Sequence, residues 1–134
     1  MTDYTIQITT DRPYAATVQA VREQLAEAGF GVLTEIDLKT TLKNKLDVDI
    51  EPQIILGACR PQLAHLAIQA DPSIAALLPC NVVVRSVGED RTVVEAFDPQ
   101  IMMSMAGEAA GAVREVAEDA RTRLTAALTA VATP

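Results

Sequence analysis

Apolar and polar residues alternate from Tyr4 to Ile8, with Tyr4, Ile6 and Ile8 on one side and Thr5 and Gln7 on the other. That is the period of a half-buried strand. The period then changes. Tyr14, Val18, Val21, Leu25 and Ala28 recur at intervals of four and three, one stripe of a helix. Asp11 offers this helix a side-chain cap, Pro13 fits its first turn, and Gly29 stops it, because glycine takes the left-handed conformation cheaply. A second strand follows over Phe30–Asp37, with Phe30, Val32, Thr34 and Ile36 on one face and Leu33, Glu35 and Asp37 on the other.

Asp37 caps a short helix on which Leu38, Leu42 and Leu46 pack and Lys39, Lys43 and Lys45 face water. After a loop over Asp47–Pro52, the stretch Gln53–Cys59 is apolar on both faces, which places this strand inside the sheet. Pro61 starts a helix with Leu63, Leu66, Ala67 and Ala70 inward, Asp71-Pro72 restarts it, and Pro79 ends it. Cys80–Ser86 and Arg91–Phe97, joined through Gly88-Glu89-Asp90, read as an antiparallel hairpin. Asp98-Pro99 opens a short helix over Gln100–Met105, and Gly107 and Gly111 loosen the chain beyond it. The final helix carries Val113, Val116, Ala117, Ala120, Leu124, Leu128 and Val131 on one face. The elements predict an α+β two-layer sandwich: five strands in a mostly antiparallel or mixed sheet, with helices packed on one face.

At 134 residues the length predicts a single domain, 1–134, large enough to hold a core without disulfides or metal. Hydrophobic residues make up 49% but aromatics only 3%, with no Trp, so the core must be aliphatic. The net charge of −7 and the lack of a separate Lys/Arg cluster disfavour nucleic acid as a partner. No apolar run approaches the ~18 residues of a membrane span. The N-terminal stretch lacks a cationic start followed by an apolar block, so a cytoplasmic protein with reduced thiols is the expectation.

The chemistry-bearing residues concentrate between Ile55 and Arg85, which hold both cysteines and the one histidine. Cys59 ends one strand just before a helix and Cys80 begins the next, with no CxxC pair. If the two strands are antiparallel neighbours the thiols can meet. If they are parallel the cysteines lie roughly 20 Å apart, beyond the ~7 Å Cα limit of a disulfide. Cys59, Cys80 and His65 are the candidate metal ligands, and with Met102, Met103 and Met105 they would suit Cu(I) or a haem axial position. Against this, His65 lies off the apolar stripe among Gln62 and Gln69, methionines commonly fill cores or plastic surfaces, and cysteine usually behaves as a small buried hydrophobe. Glu35, if covered by helices, would have a raised pKa and could carry a proton. There is no GxSxG, phosphate-cradling glycine loop or dinucleotide fingerprint, so no catalytic motif is recognised.

Three motifs, GFGVLTEIDLKTTLKNKL (Gly29–Leu46), ILGACRPQLA (Ile55–Ala64) and LLPCNVVV (Leu77–Val84), followed by FDPQIMM (Phe97–Met103), stand in an order and spacing that resemble the bacterial and archaeal "domain of unknown function three hundred and two". The resemblance spans Tyr4 to about Leu128 and implies a compact α+β domain, homodimeric, with no assigned activity. It also marks Glu35 and Asn81 as family-matched polar positions with either a structural or a site role, Glu35 in the latter case a ligand contact and Asn81 a strand-end hydrogen-bonder. Where the family usually has Asn between Cys and Pro, this chain has Arg60, which cannot accept the amide hydrogen bonds of a helix start. Two functional expectations result. The first is a small ligand-binding or assembly domain, a homodimer taking a small apolar ligand, with Glu35, Cys59, Cys80, Asn81, Met102 and Met103 as candidate contacts. The alternative is a thiol-based redox or soft-metal protein using Cys59 and Cys80.

Overall fold

The computed structural model describes residues 3–105 and 110–132, without the side chains at 102, 103, 110 and 112. Strands β1 (Thr5–Thr10), β2 (Gly31–Asp37), β3 (Gln53–Cys59), β4 (Cys80–Gly88) and β5 (Arg91–Phe97) form one sheet in the order β1-β5-β4-β3-β2. All four pairings are antiparallel. The helices are α1 (Tyr14–Glu27), α2 (Leu38–Leu46), α3 (Pro61–Ala70), α4 (Pro99–Met105) and α5 (Ala110–Ala132), with a 3-10 turn at Pro72–Leu77. This is the α+β sandwich that the alternating periods predict. Among the described residues no helix is long and apolar enough to cross a membrane.

One face of the sheet presents Leu56, Ala58, Val82, Val84, Val94 and Ala96, all fully buried against Val21 and Leu25 of α1 and Leu124, Leu128 and Val131 of α5. A second cluster joins Ala67 of α3 and Ile74 of the 3-10 turn to Val113 and Val116 of α5. The whole predicted α5 stripe is buried, and this helix therefore belongs to both clusters. The opposite face carries Gln53, Asn81, Val83, Arg85, Glu95 and Phe97, which with Tyr4 and Thr5 line a shallow depression of about 290 Å³.

Several local expectations change in the structure. Helix α1 starts from Pro13 with no side-chain cap, so Asp11 does not take that role. Its first turn is held instead by Thr17, whose buried hydroxyl donates to the Pro13 carbonyl at 2.9 Å. On α3, Leu66 and Ala70 are exposed, and Ala67 is the one buried side chain. On α2 no residue is buried and Leu46 is exposed, although Asp37 caps the helix as predicted, accepting from the Thr40 amide at 3.1 Å. Gly29 stops α1 with φ +89°, as expected.

The largest change is in β2. Val32 pairs with Ala58 but Thr34 pairs with Gly57, so Leu33 is an extra residue, a β-bulge. A one-residue insertion inverts every side chain beyond it. Glu35 and Asp37, opposite Leu56 and Ile54, thus share the helical face with Val32, while Thr34 and Ile36 turn to the other. Accordingly Glu35 forms an ion pair with Arg22 of α1. Tyr14 of the same helix has its phenol pKa raised, by burial first and then by the Asp37 carboxylate.

Gly57 is buried between Thr34 and Pro79, and a Cβ there would stand 2.8 Å from Pro79 Cγ as well as against the Thr34 hydroxyl. Gly57→Ala is therefore expected to destabilise the chain by about 1–3 kcal/mol through overpacking, read as a lower urea midpoint with unchanged slope. On the same face Arg85 donates to Glu95 at 2.7 Å and Thr5 donates to its other oxygen at 2.9 Å. Burial pushes the Glu95 carboxyl up, but these hydrogen bonds and the Arg85 charge together outweigh it, and the net pKa is lowered. The stability this contributes is full above the unfolded value of ~4.3 and is lost as pH falls through the lower folded value. Glu95→Gln should cost about 1 kcal/mol at neutral pH, with its melting curve converging on that of the wild type in acid.

Candidate cysteine-lined site

Strand β3 ends at Cys59 and the chain turns through Arg60 into α3, while β4 begins at Cys80 immediately after Pro79. The antiparallel register sets Cys80 opposite Ala58, one residue from Cys59. Of the two topologies left open by the sequence, this is the one that brings the two residues to one end of the sheet, with Cys80 on the face of Ala58 and Cys59, the next residue of the strand, on the other. Taking about 5 Å between paired Cα atoms and ~3.3 Å along the strand, the two Cα atoms are roughly 6 Å apart. Both thiols are free, Cys80 buried and Cys59 half-buried.

Residues Cys59 and Cys80 border one apolar cavity of about 30 Å³ between the sheet end, α3 and α5, walled by Phe30, Leu63, Leu78 and Val116. That space holds about two waters, far below the several hundred Å³ of a cofactor pocket. Burial pushes the Cys80 thiol up to about 11, with the neighbouring Cys59 adding to the effect. Cys80 is consequently a protonated thiol at neutral pH. A groove of about 530 Å³ between α3 and α5 lies against the cavity and shares Arg60, Leu63 and Val116 with it.

Arg60 does not cap α3 with its side chain. Its guanidinium reaches Asp119 of α5 at 3.6 Å, and its stem lies over Gly29, where an added Cβ would meet Arg60 Nε at 3.2 Å. Asp119 also accepts from Arg123 at 2.8 Å, and Arg123 donates to the Ala28 carbonyl at 3.1 Å. The start of α3, the middle of α5 and the end of α1 are tied through these three side chains. Arg60 thus occupies a clamp where the family's usual Asn would serve as a cap.

The remaining candidates do not converge on this cavity. Glu35 is exposed on edge strand β2, on the helical face, and is paired with Arg22 of α1 rather than buried. Asn81 is exposed on the opposite face, in the depression with Arg85 and Glu95. His65 is exposed on α3. The side chains of Met102 and Met103 lie outside the described residues. Among the described residues no group of three or more His, Cys, Asp and Glu side chains could hold a metal ion.

Sequence patterns did not point to the Arg60–Asp119–Arg123 clamp, since its members lie on two helices far apart in the chain. The Arg85–Glu95 pair was within reach, because the hairpin turn at Gly88-Glu89-Asp90 sets those two strands side by side.

No curated protein matches the chain. A crystal structure described as an uncharacterized conserved protein DUF302 from Bacillus stearothermophilus is similar, with a TM-score of 0.85 and 26% sequence identity over 96% of this chain and 98% of that one. The family model "Domain of unknown function DUF302" matches residues 6–131. With motifs, fold and this match spanning nearly its whole length, the chain belongs to the DUF302 family.

Proposed function

We propose that this protein is a non-catalytic assembly domain that acts as a homodimer, joined along the β2–α2 edge. The observation that carries this is how little of that arm the single chain buries. Every residue of β2 except Val32 is exposed, and α2 has no buried residue. Leu33 (65%), Ile36 (45%), Leu46 (66%) and Val48 (41%) remain in water. A nine-residue helix is shorter than the ~12–15 residues that hold together unaided, so it depends on packing, of which the single chain supplies only the half-burial of Leu38, Thr41 and Leu42.

The partner with the right chemistry is a second copy. Strand β2 is at the edge of the sheet, where unpaired backbone groups await another strand, and a two-fold axis presents the same patch from each side. Helix α2 contains Lys39, Lys43 and Lys45 and no acid, whereas the chain as a whole carries −7. Lys43 pairs within its own chain with Asp47 at 2.9 Å and Asp49 at 3.5 Å, which reduces like-charge repulsion when this arm meets its own copy. Ligand binding ranks second, because the space between sheet and helices admits groups of water size only. A thiol reading is favoured by one specific observation, the two cysteines bordering one cavity.

Size-exclusion chromatography with light scattering, run over a dilution series, is expected to show a dimer. Leu33→Glu and Ile36→Lys should each weaken it by roughly 30-fold in Kd, the effect of losing an interface anchor, without altering the far-UV spectrum. A wild-type chain that stays monomeric at high concentration, or variants that dimerise as well as the parent, would refute the assignment.

A further inference from the structure

We propose that the depression on the sheet face opposite α1 and α5 binds a small, uncharged, planar nitrogen heterocycle of purine size. It has no residue on β2 or α2, so it goes beyond the assembly reading and is independent of it.

The antiparallel register builds this patch from four strands. Thr5 of β1 stands opposite Phe97 of β5, Glu95 opposite Val83 of β4, and Arg85 opposite Gln53 of β3. Alternation along β4 sends Asn81 to the same face as Val83 and Arg85. Aromatic rings are scarce in this chain, with two Tyr, two Phe and no Trp, yet Tyr4 and Phe97 both border the depression. Tyr4 is 56% exposed and belongs to neither hydrophobic cluster. An exposed ring of this kind offers a stacking surface to another flat ring.

Two amides supply the polar contacts. Asn81 is exposed and Gln53 half-buried, and among the described residues neither side chain has a hydrogen-bond partner. Each amide presents a donor and an acceptor side by side, the pattern that pairs with an adjacent acceptor and donor on the edge of a heterocycle. Charge sets the rest. Arg85 and Glu95 neutralise each other, and Thr5 holds the second Glu95 oxygen, so the site carries no net charge. Arg85 gives one N–H to Glu95 and keeps others for a ring carbonyl. A phosphate would meet a chain of net charge −7 with no uncompensated cation in the site. An uncharged ring meets no such penalty. The space of about 290 Å³, roughly ten waters, takes one or two fused rings and is too small for a dinucleotide.

The test uses the full chain, isotope-labelled, titrated with hypoxanthine and followed by NMR. Saturable shifts of the Asn81 and Gln53 side-chain amides are expected, with the amides of α2 and α5 unmoved. Asn81→Ala and Tyr4→Ala should each raise Kd by roughly tenfold, the effect of losing one paired edge or one stacked ring. Tyr4→Phe should keep the parental Kd, because it keeps the ring. Inosine should bind like hypoxanthine, since the depression is open to solvent, and inosine monophosphate no more tightly than inosine. An amide spectrum unchanged away from the substituted position confirms that each variant is folded. Shifts that rise without saturating, or that centre on the α3–α5 groove, would overturn the proposal. So would Asn81→Ala binding as well as the parent, or the monophosphate binding more tightly than the nucleoside. Dimerisation through the β2–α2 edge is read separately by light scattering and bears on none of these outcomes.

Discussion

The structure hangs on the burial of one aliphatic stripe, that of α5. Leu124, Leu128 and Val131 fill the space above the sheet beside α1, and Val113 and Val116 fill the space under α3. Fully burying each such side chain contributes about 1.5–3 kcal/mol. Few aromatic rings are present to share the task, and no Trp. With one helix serving both clusters, the sheet core and the α3 segment are mechanically a single unit. This is why the Arg60–Asp119–Arg123 clamp sits where it does. Two partly exposed ion pairs add little energy individually; Arg60–Asp119 joins the start of α3 to α5, and Arg123–Asp119 lies within α5, beside the cysteine cavity.

The two faces of the sheet differ in what they ask of their residues. The helical face is apolar and closely packed. The other holds a charged pair, Arg85 and Glu95, satisfied by each other and by Thr5, and can face water without penalty. Antiparallel sheets tolerate this asymmetry readily. A third region, the β2–α2 arm, fits neither description. It is apolar enough to need covering, yet the single chain leaves it open. The bulge at Leu33 belongs to this region. By inverting β2 beyond that point it hands Glu35 to Arg22 of α1 and leaves Ile36 on the outer face.

Neighbouring elements of the chain thus divide their roles. The end of β3 and the start of β4, with α3 and α5, enclose a small apolar space beside the buried Cys80. The neighbouring β2 edge, whose first residue Gly31 pairs with Cys59, presents backbone and leucines to solvent. The two features share no side chain, so a change at one leaves the other testable.

Periodicity alone determined most of the architecture. The alternation in β1, β4 and β5, the doubly apolar run of β3 and the α5 stripe are local patterns whose burial has a single solution, helices over one face of a sheet. That Cys59 and Cys80 share one sheet end was legible only as one of two topologies, because residue spacing does not say which way neighbouring strands run. Glu35 shows a different limit. Its face follows from counting by twos, and one unpaired residue, Leu33, makes the count wrong. Leu46 and Leu66 show another: an apolar residue at a helical period marks a surface that wants covering, without saying whether the same chain covers it. Likewise the fate of Arg60 was decided by Asp119, about sixty residues away in the chain. Local chemistry sets which elements form and which surface of each is apolar. Only the packed chain decides which strand end meets which, and which apolar surface is left over.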